Sequence, residues 1–173
     1  MPAFRKKAAS GRTPQEVYAE QRWTALRAGR DDSIPRHDAH PDVYGLVMDQ
    51  SATGGWVTIA VLGDNTTDLY TSTGGDMIGA GKRADVAAAN QWLLTAAQAH
   101  LAAFDTADDG GYPAYGMVRF HLLTGAAGRF ADVPRSAMTG DSTHPLLPVI
   151  NAMQGVMTSM RLADPRWSRA RRR

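Results

Sequence analysis

The sequence predicts an α+β domain in which helices cover the faces of a mostly antiparallel, five-stranded sheet. Helical segments open the chain, interrupt its middle and end it. Five short runs rich in β-branched and aromatic residues lie between these segments. Short turn-forming connections join the runs into one group of three and one group of two, which gives the element order α-βββ-α-ββ-α.

The first helix is predicted over residues 14 to 28, because residues 13 to 16 (Thr-Pro-Gln-Glu) form a capping box with proline at the first helical position. Gly29 ends it. The apolar stripe of this helix is thin and consists of Ala19, Trp23 and Leu26. We therefore expect the helix to lie on the surface of the domain, with Trp23 as its anchor.

Three strands follow, predicted over Val43 to Asp49, Trp56 to Leu62 and Thr67 to Ser72. Their short connections make them antiparallel neighbours. The second strand is apolar on both faces, which indicates a central strand covered on both sides.

A Gly-rich loop over residues 73 to 81 precedes a long helix over residues 82 to 104, whose many alanines allow close packing. A turn-rich loop then leads to a predicted hairpin of Met117 to Leu123 and Arg129 to Val133. The last helix is predicted to open at Ser142 or Thr143 with Pro145 in its first turn. Asp164 and Pro165 end it.

This order of elements resembles that of the profilin-like and roadblock-like α/β/α sandwiches, small folds often used as dimerising or regulatory platforms. The resemblance rests on element order and carries no signature residue. It implies a layered architecture, and it leaves activity open.

Charge divides the chain into three parts. Residues 1 to 36 hold eight Lys/Arg and four Asp/Glu (net +4), and residues 161 to 173 hold six and one (net +5), so residues 37 to 160 hold five and twelve (net −7). We interpret residues 1–12 as a disordered basic arm, 13–164 as a single α+β domain and 165–173 as a basic tail. Basic ends can bind phosphate or an acidic protein surface, including the body of another copy.

Composition excludes several classes of protein. The chain has no Cys, which removes disulfides, thiolate nucleophiles and iron–sulfur clusters. No 18-residue apolar run and no secretory signal pattern occur, so we expect a cytoplasmic protein without a membrane span. No cofactor is expected.

The Gly-rich loop is the first candidate site. A phosphate loop needs four residues between its two glycines, and a residue with a side-chain hydroxyl directly after its lysine. Here five residues separate Gly75 from Gly81, and Arg83 replaces the hydroxyl. A dinucleotide turn would need a parallel βαβ unit, which the pattern does not predict. Two interpretations remain: a flexible connection, or anion binding at the helix N-terminus by Gly79, Gly81, Lys82 and Arg83.

Arg119 and His121 share one face of the predicted fourth strand, and they complete the candidate anion-binding set. They could form an acid/base pair oriented by Asp132 on the next strand. The alternative is a salt-bridged strand face under a helix.

Two further segments carry chemistry-bearing residues. Residues 37 to 42 contain two His and two Asp, which suit a divalent ion, but a solvated loop with a bend at Pro41 is the preferred interpretation and no metal site is predicted. The C-terminal tail contains arginine side chains and one tryptophan that could contact nucleic acid or a protein partner. These residues are Arg166, Trp167, Arg169, Arg171, Arg172 and Arg173.

The sequence best fits a non-enzymatic interaction or regulatory domain that self-associates and whose basic arms contact acidic surfaces. Its partner is then another protein or a second copy. One alternative is a nucleic-acid-associated protein that binds phosphates non-specifically through its ends. The other is a small-molecule or anion-binding enzyme that uses the loop at residues 74–83.

Overall fold

A computed structural model describes residues 11–29, 33–106, 108–125, 128–139 and 143–164 of the chain. Within these residues, three α-helices and seven antiparallel strands build one sheet with helices on both faces. The predicted α+β class is confirmed.

The helices are α1 (Pro14–Arg27), α2 (Ala84–Ala99) and α3 (Leu147–Ala163). The strands are β1 (Val43–Ala52), β2 (Gly55–Leu62), β3 (Thr67–Thr71), β4 (Asp76–Met77), β5 (Asp105–Thr106), β6 (Met117–Thr124) and β7 (Arg129–Pro134). They lie in the sheet in the order β4-β3-β2-β1-β6-β7-β5.

The sheet contains the five predicted strands and two that the sequence did not indicate. Both additional strands, β4 and β5, are two residues long, and each adds to one edge of the sheet. Two residues are too short for a period-two pattern, so the prediction of five strands was wrong at the edges.

Helix α1 begins as predicted but is anchored differently. The Thr13 hydroxyl accepts from the Glu16 N–H at 3.2 Å, and the Glu16 carboxylate accepts from the Thr13 N–H at 2.6 Å. Trp23, however, is 54% exposed. The buried residues of the helix are Tyr18, Arg22, Ala25 and Leu26. The stripe that packs on the sheet mixes polar and apolar side chains, so a purely apolar pattern points to the wrong anchor.

The other two helices are shorter than predicted. Helix α2 is flanked by 3₁₀ turns at Ala80–Lys82 and Leu101–Ala103, which account for the longer helical pattern in the sequence. Helix α3 begins at Leu147 and not at Thr143, so Pro145 precedes it and Pro148 stands in its first turn. The other predicted start, Ser142, lies outside the described residues.

Each face of the sheet has its own core. The larger core lies between the sheet and the pair α2 and α3, and includes Met48 and Phe120. The smaller core lies under α1 and includes Val47 and Ala60. Asp49 and His121 lie on the α1 face, because Asp49 is two residues after Val47 and His121 pairs with Val47 across β1 and β6.

Candidate functional site

A cluster of charged side chains is buried between α1 and the sheet. Asp49 and His121 have no exposed side-chain surface, and Arg22 of α1 is 6% exposed. The Oδ2 atom of Asp49 accepts from Arg22 Nε at 2.8 Å and Nη2 at 2.6 Å, and lies 2.9 Å from His121 Nε2. Asp108, from the loop after β5, places its Oδ2 2.6 Å from His121 Nδ1. We call these four residues the buried ion cluster.

Four separate parts of the chain supply the cluster. Asp49 stands opposite Arg119 in the register of β1 and β6, so His121 is its diagonal neighbour on the same face. Arg22 lies one helical turn after Tyr18 on the buried side of α1. The backbone N–H of Asp108 donates to the Gly128 carbonyl at 3.0 Å, which fixes the loop beside β7.

The two carboxylates determine the protonation of His121. An ionised carboxylate only accepts, and each ring nitrogen faces one, so both nitrogens donate and the ring is an imidazolium. Burial acts to lower the pKa of His121, but the hydrogen bonds with Asp108 and Asp49 outweigh burial and raise it. Burial likewise acts to raise the pKa of Asp49, yet the bonds from His121 and Arg22 hold that pKa below its ordinary value. The positive charges of Arg22 and His121 therefore balance the negative charges of the two carboxylates.

Two hydroxyl groups extend the cluster under α1. Thr58 Oγ1 donates to the Oδ1 atom of Asp49 at 2.5 Å, which uses its single hydrogen. The Tyr18 hydroxyl, 2.7 Å from Thr58 Oγ1, must therefore be the donor in that pair. Burial raises the pKa of Tyr18, so the phenol stays protonated. Both oxygens of Asp49 are thus occupied by protein donors.

The loop that carries Asp108 closes the outer side of the cluster. Arg22 Nη2 donates to the carbonyl oxygens of Gly110 at 2.7 Å and Gly111 at 3.2 Å. The Tyr112 ring lies over the guanidinium, 4.1 Å from centroid to Cζ, and Trp56 stacks on Tyr112. Arg22 therefore connects a helix, the sheet and a loop through one side chain.

Arg119 and His121 do not form an acid/base pair. Arg119 makes two hydrogen bonds of 2.7 Å to Asp132, which stands opposite it in β7, and contacts Asp109 at 3.4 Å. The expectation that Asp132 orients His121 is not met, because Asp132 is bound to Arg119 and the partners of His121 are Asp49 and Asp108. The strand face is salt-bridged under α1 and the loop.

The cluster is closed to solvent. Acid/base chemistry needs a titratable atom that a substrate can reach, and neither His121 nor Asp49 has exposed side-chain surface. Among the described residues, no group of three or more His, Asp or Glu has the arrangement of a metal site. The arrangement can hold charge and join structural elements.

The glycines of the Gly-rich loop have structural roles. Gly79 has φ +73°, a conformation that favours glycine, and its N–H donates to Asp68 Oδ1 at 2.7 Å. A Cβ on Gly81 would overlap the carbonyl oxygen of Asn65. Close packing against the turn between β2 and β3 therefore requires glycine at position 81.

The candidate anion-binding residues are not brought together. Lys82 and Arg83 are exposed, and Arg83 pairs with Asp85 of the same helix at 2.9 Å. These residues adjoin β3 and the start of α2, whereas Arg119 and His121 lie on β6, three strands away in the sheet. At about 4.8 Å between neighbouring strands, this separation is too large for one small anion to contact both groups.

Residues 37–42 also lack an open set of ligands. His40 is buried, with Nδ1 2.7 Å from the Val43 carbonyl oxygen and Nε2 3.0 Å from Gln91 Oε1. Its ring stacks on that of His37 at 4.8 Å between centroids. The segment joins the start of β1 to α2.

The outer surface of α2 and α3 forms a second candidate site. No Asp, Glu, Lys or Arg occurs from Val86 to Phe104 or from Thr143 to Met160. The two helices pack side by side, and each presents a stripe of exposed, mostly small residues at helical spacing. We call this surface the uncharged face; its members are Ala84, Ala88, Trp92, Thr95 and Ala99 of α2 and Asn151, Gly155, Thr158 and Leu162 of α3.

Trp92 dominates the uncharged face. Its side chain is 71% exposed and lies midway along α2, and Leu162 near the end of α3 is 73% exposed. Charged side chains adjoin the face only at its ends, among the described residues of the two helices, as Asp85 and Arg161. A large aromatic in an uncharged surface is typical of a protein contact site.

An open groove of about 760 Å³ lies beside the uncharged face, between α3 and the 3₁₀ turn Arg135–Met138. Gln50, Arg135 and Met157 are among its lining residues. It shares no residue with the buried ion cluster, which lies on the opposite side of the sheet.

The terminal candidates lie outside the described residues: Arg166, Trp167, Arg169, Arg171, Arg172 and Arg173, together with residues 1–10 of the arm. Arg12, at the inner end of the arm, pairs with Glu20 at 2.7 Å. None of the helices in the described part of the chain has the length and apolar character needed to cross a membrane.

Sequence reasoning missed Arg22, Asp49 and Asp108. One signal was present: Asp49 ends the apolar run of the first predicted strand, and a carboxylate that is buried requires a cation. The identity of that cation could not be predicted, because Arg22 is 27 residues away and His121 is 72.

Comparison with known proteins assigns no relative to this chain. No family model, curated protein or solved structure matches it.

Proposed function

We propose that this protein is a non-enzymatic interaction domain that self-associates through its uncharged face, with its basic ends on the acidic body of the neighbouring copy. The observation that carries the proposal is the exposure of Trp92 at the centre of a helical surface without charge. Exposed helix surfaces of soluble domains ordinarily carry interspersed charges.

Charge favours a second copy as the partner at this surface. The body has a net charge of −7 over residues 37 to 160, so two copies repel each other where charged surfaces meet. The uncharged face brings no like charges together. A contact that uses the same surface on both copies is closed and two-fold symmetric.

Size and shape support the same contact. Helix α2 has 16 residues and is therefore about 24 Å long, and two adjacent helices are about 20 Å wide. The flat projection is about 480 Å², which is of the order of the ~800 Å² of corrugated accessible surface that each partner buries in a stable complex. Ala88 and Gly155 allow close approach, and Trp92 supplies the central aromatic anchor.

The buried ion cluster supports a non-enzymatic role. Its titratable atoms are bonded to one another under α1, and the candidate residues of the Gly-rich loop lie apart from it, beside β3 and the start of α2. Neither arrangement offers a substrate a reactive group.

Sedimentation of the full chain from low to high micromolar concentration tests the proposal. We expect a wild-type dimer and a monomeric Trp92→Asp variant, because the substitution places a charge at the centre of the contact. Trp23→Asp is the matched control: it introduces the same change at an exposed tryptophan on α1, across the sheet, and should leave the dimer intact.

The salt dependence of dimer formation distinguishes the contact through the uncharged face from the contacts of the basic ends. Contacts of the basic ends with the acidic body should weaken as salt rises, whereas the apolar contact should not. A wild-type protein that stays monomeric throughout, or a Trp92→Asp variant that dimerises like wild type, contradicts self-association through this face.

A further inference from the structure

One side chain, His121, connects the loop after β5 to the sheet and contributes to the attachment of α1. Its Nδ1 faces the carboxylate of Asp108 on the loop, and its Nε2 faces Asp49, which also binds Arg22 of α1. Both contacts require a proton on the ring nitrogen concerned. The loss of one proton must therefore leave one carboxylate facing a nitrogen lone pair.

We propose that the buried ion cluster is a proton-dependent latch: the loop over residues 108–112 and helix α1 are held on the sheet while His121 carries both ring protons, and the loop is released when one proton leaves. This inference concerns the face of the sheet opposite the uncharged face. It does not depend on self-association.

The contact with Asp108 breaks first. Asp49 Oδ2 accepts two hydrogen bonds from Arg22, and Oδ1 accepts one from Thr58, so Asp49 stays in place. Within the described part of the chain, Asp108 Oδ2 has His121 as its partner, and Oδ1 accepts from Gly110 of the same loop. Arg22 Nη2 also lies 3.4 Å from His121 Nε2, but its two hydrogens have nearer acceptors in Asp49 Oδ2 and the carbonyl oxygens of Gly110 and Gly111. The remaining proton therefore stays on Nε2, between the ring and Asp49.

The surrounding charges make the neutral ring unstable in the closed state. With neutral His121, two carboxylates face one guanidinium in a region shielded from water, and the excess negative charge is costly. The polar groups that face the site come from every adjacent element: Arg22 and Tyr18 from α1, Asp49 from β1, Thr58 from β2, Asp108 and Asp109 from the loop, Arg119 from β6 and Asp132 from β7.

Release of the loop weakens the attachment of α1 to the sheet. The loop supplies the carbonyl oxygens of Gly110 and Gly111 to Arg22, and the ring of Tyr112 covers the same guanidinium. Without these contacts, the strong hydrogen bonds left to Arg22 among the described residues are those to Asp49. The apolar residues beneath α1, such as Ala60 and Tyr70, then become accessible more often.

Histidine NMR of the ¹⁵N-labelled full chain tests the first step. At neutral pH we expect His121 to show two nitrogen-bound protons and the ¹⁵N shifts of an imidazolium, with a midpoint above pH 6.5. A His121 that is neutral at pH 7 overturns the proposal.

Amide hydrogen exchange against pH, corrected for intrinsic rates, tests the second step. We expect protection of α1 and of residues 110–112 to fall roughly tenfold or more as the pH passes the His121 midpoint, while α2 and α3 stay protected. Equal loss in all three helices, or no loss in α1, overturns the latch.

The variant Asp108→Asn tests the contact between the loop and His121, and Asp132→Asn is its control because it makes the same substitution at a carboxylate that does not bind His121. The first substitution removes a carboxylate bound to the ring, so the midpoint of His121 and the release of the loop should both move to lower pH. Asp132→Asn changes a carboxylate bound to Arg119 and should leave the midpoint nearly where it is in the wild type. An unchanged midpoint in Asp108→Asn overturns the proposal, and if that variant fails to fold, the wild-type exchange experiment decides.

Discussion

Asp49 and His121 are diagonal neighbours on adjacent strands, joined at 2.9 Å between Oδ2 and Nε2, and neither side chain has exposed surface. A buried pair of this kind is tolerated only when every charge has a partner, because an uncompensated ion in a protein interior is costly. The stability of the α1 side of the domain therefore depends on the whole cluster.

Arg22→Met should destabilise the protein by about 3–5 kcal/mol, the cost typical of removing one partner from a buried ion pair. Arg27→Met is the matched control, because Arg27 is exposed on the same helix and its loss should change the free energy of unfolding little. Urea unfolding at pH 6 measures both. Equal effects of the two substitutions would show that the buried charge has no special role.

Stability should fall on both sides of a plateau in pH. The pKa of His121 is raised above 6.5, so its contribution is fully present below pH 6.5 and is lost as pH rises through the raised value. The pKa of Asp49 is lowered below 3.8, so its contribution is present above pH 3.8 and is lost as pH falls through the lowered value. Urea unfolding across the pH range should show this plateau; a continuous rise in stability from pH 6 to pH 9 would contradict the assignment.

Thr58→Val should cost more than Tyr18→Phe. The valine removes a donor to Asp49 and the acceptor for Tyr18, which we expect to cost about 2–3 kcal/mol, whereas the phenylalanine removes one neutral hydrogen bond, about 1 kcal/mol. A double-mutant cycle measured by urea unfolding should give a coupling energy of about 0.5 kcal/mol or more. Strict additivity would indicate that the two hydroxyls act independently.

Two glycine-to-alanine substitutions should have opposite effects. Gly81→Ala places Cβ against the carbonyl oxygen of Asn65. It should lower the free energy of unfolding by more than about 2 kcal/mol, because the backbone of Asn65 can move aside only by distorting the turn. Gly155→Ala, in the middle of α3 with no atom near its Cβ, should stabilise by about 0.5–1 kcal/mol. Denaturant unfolding in the Trp92→Asp background measures both without a contribution from self-association. An unchanged free energy of unfolding in Gly81→Ala would show that the turn after β2 can shift to accept the extra methyl group.

The parts of the fold that could be predicted are those with strong local signals. The capping box at Thr13 and the apolar strands from Val43 to Val133 follow from short-range preferences. The start of α3 was predicted too early, because Pro145 and Pro148 can each stand in the first turn of a helix and the polar residue Thr143 suits a cap. The edge strands β4 and β5 depend on pairing with a neighbour, which no local pattern encodes.

The candidate sites were harder to predict because they depend on which distant residues meet. His121 was named as a candidate for acid/base chemistry and anion binding, but its actual partners are set by strand register and by the position of α1. The uncharged face had a signal in the sequence, since two long helical segments contain no Asp, Glu, Lys or Arg. Apolar stripes in both helices already account for the core, so the outward stripes do not stand out in the sequence pattern.

The two-residue strands at the margins of the sheet limit how copies of the chain can assemble. A long outer strand exposes a row of unpaired N–H and C=O groups on which another molecule can extend the sheet. Strands β4 and β5 offer only two residues each, and the part of β7 that β5 does not pair, Ala131 to Pro134, is short and ends in a proline. In the self-association that we propose, copies therefore meet through the helices, where a two-fold arrangement is complete at two molecules. Raising the concentration of this protein should thus fill a closed pair and should not start open-ended polymerisation.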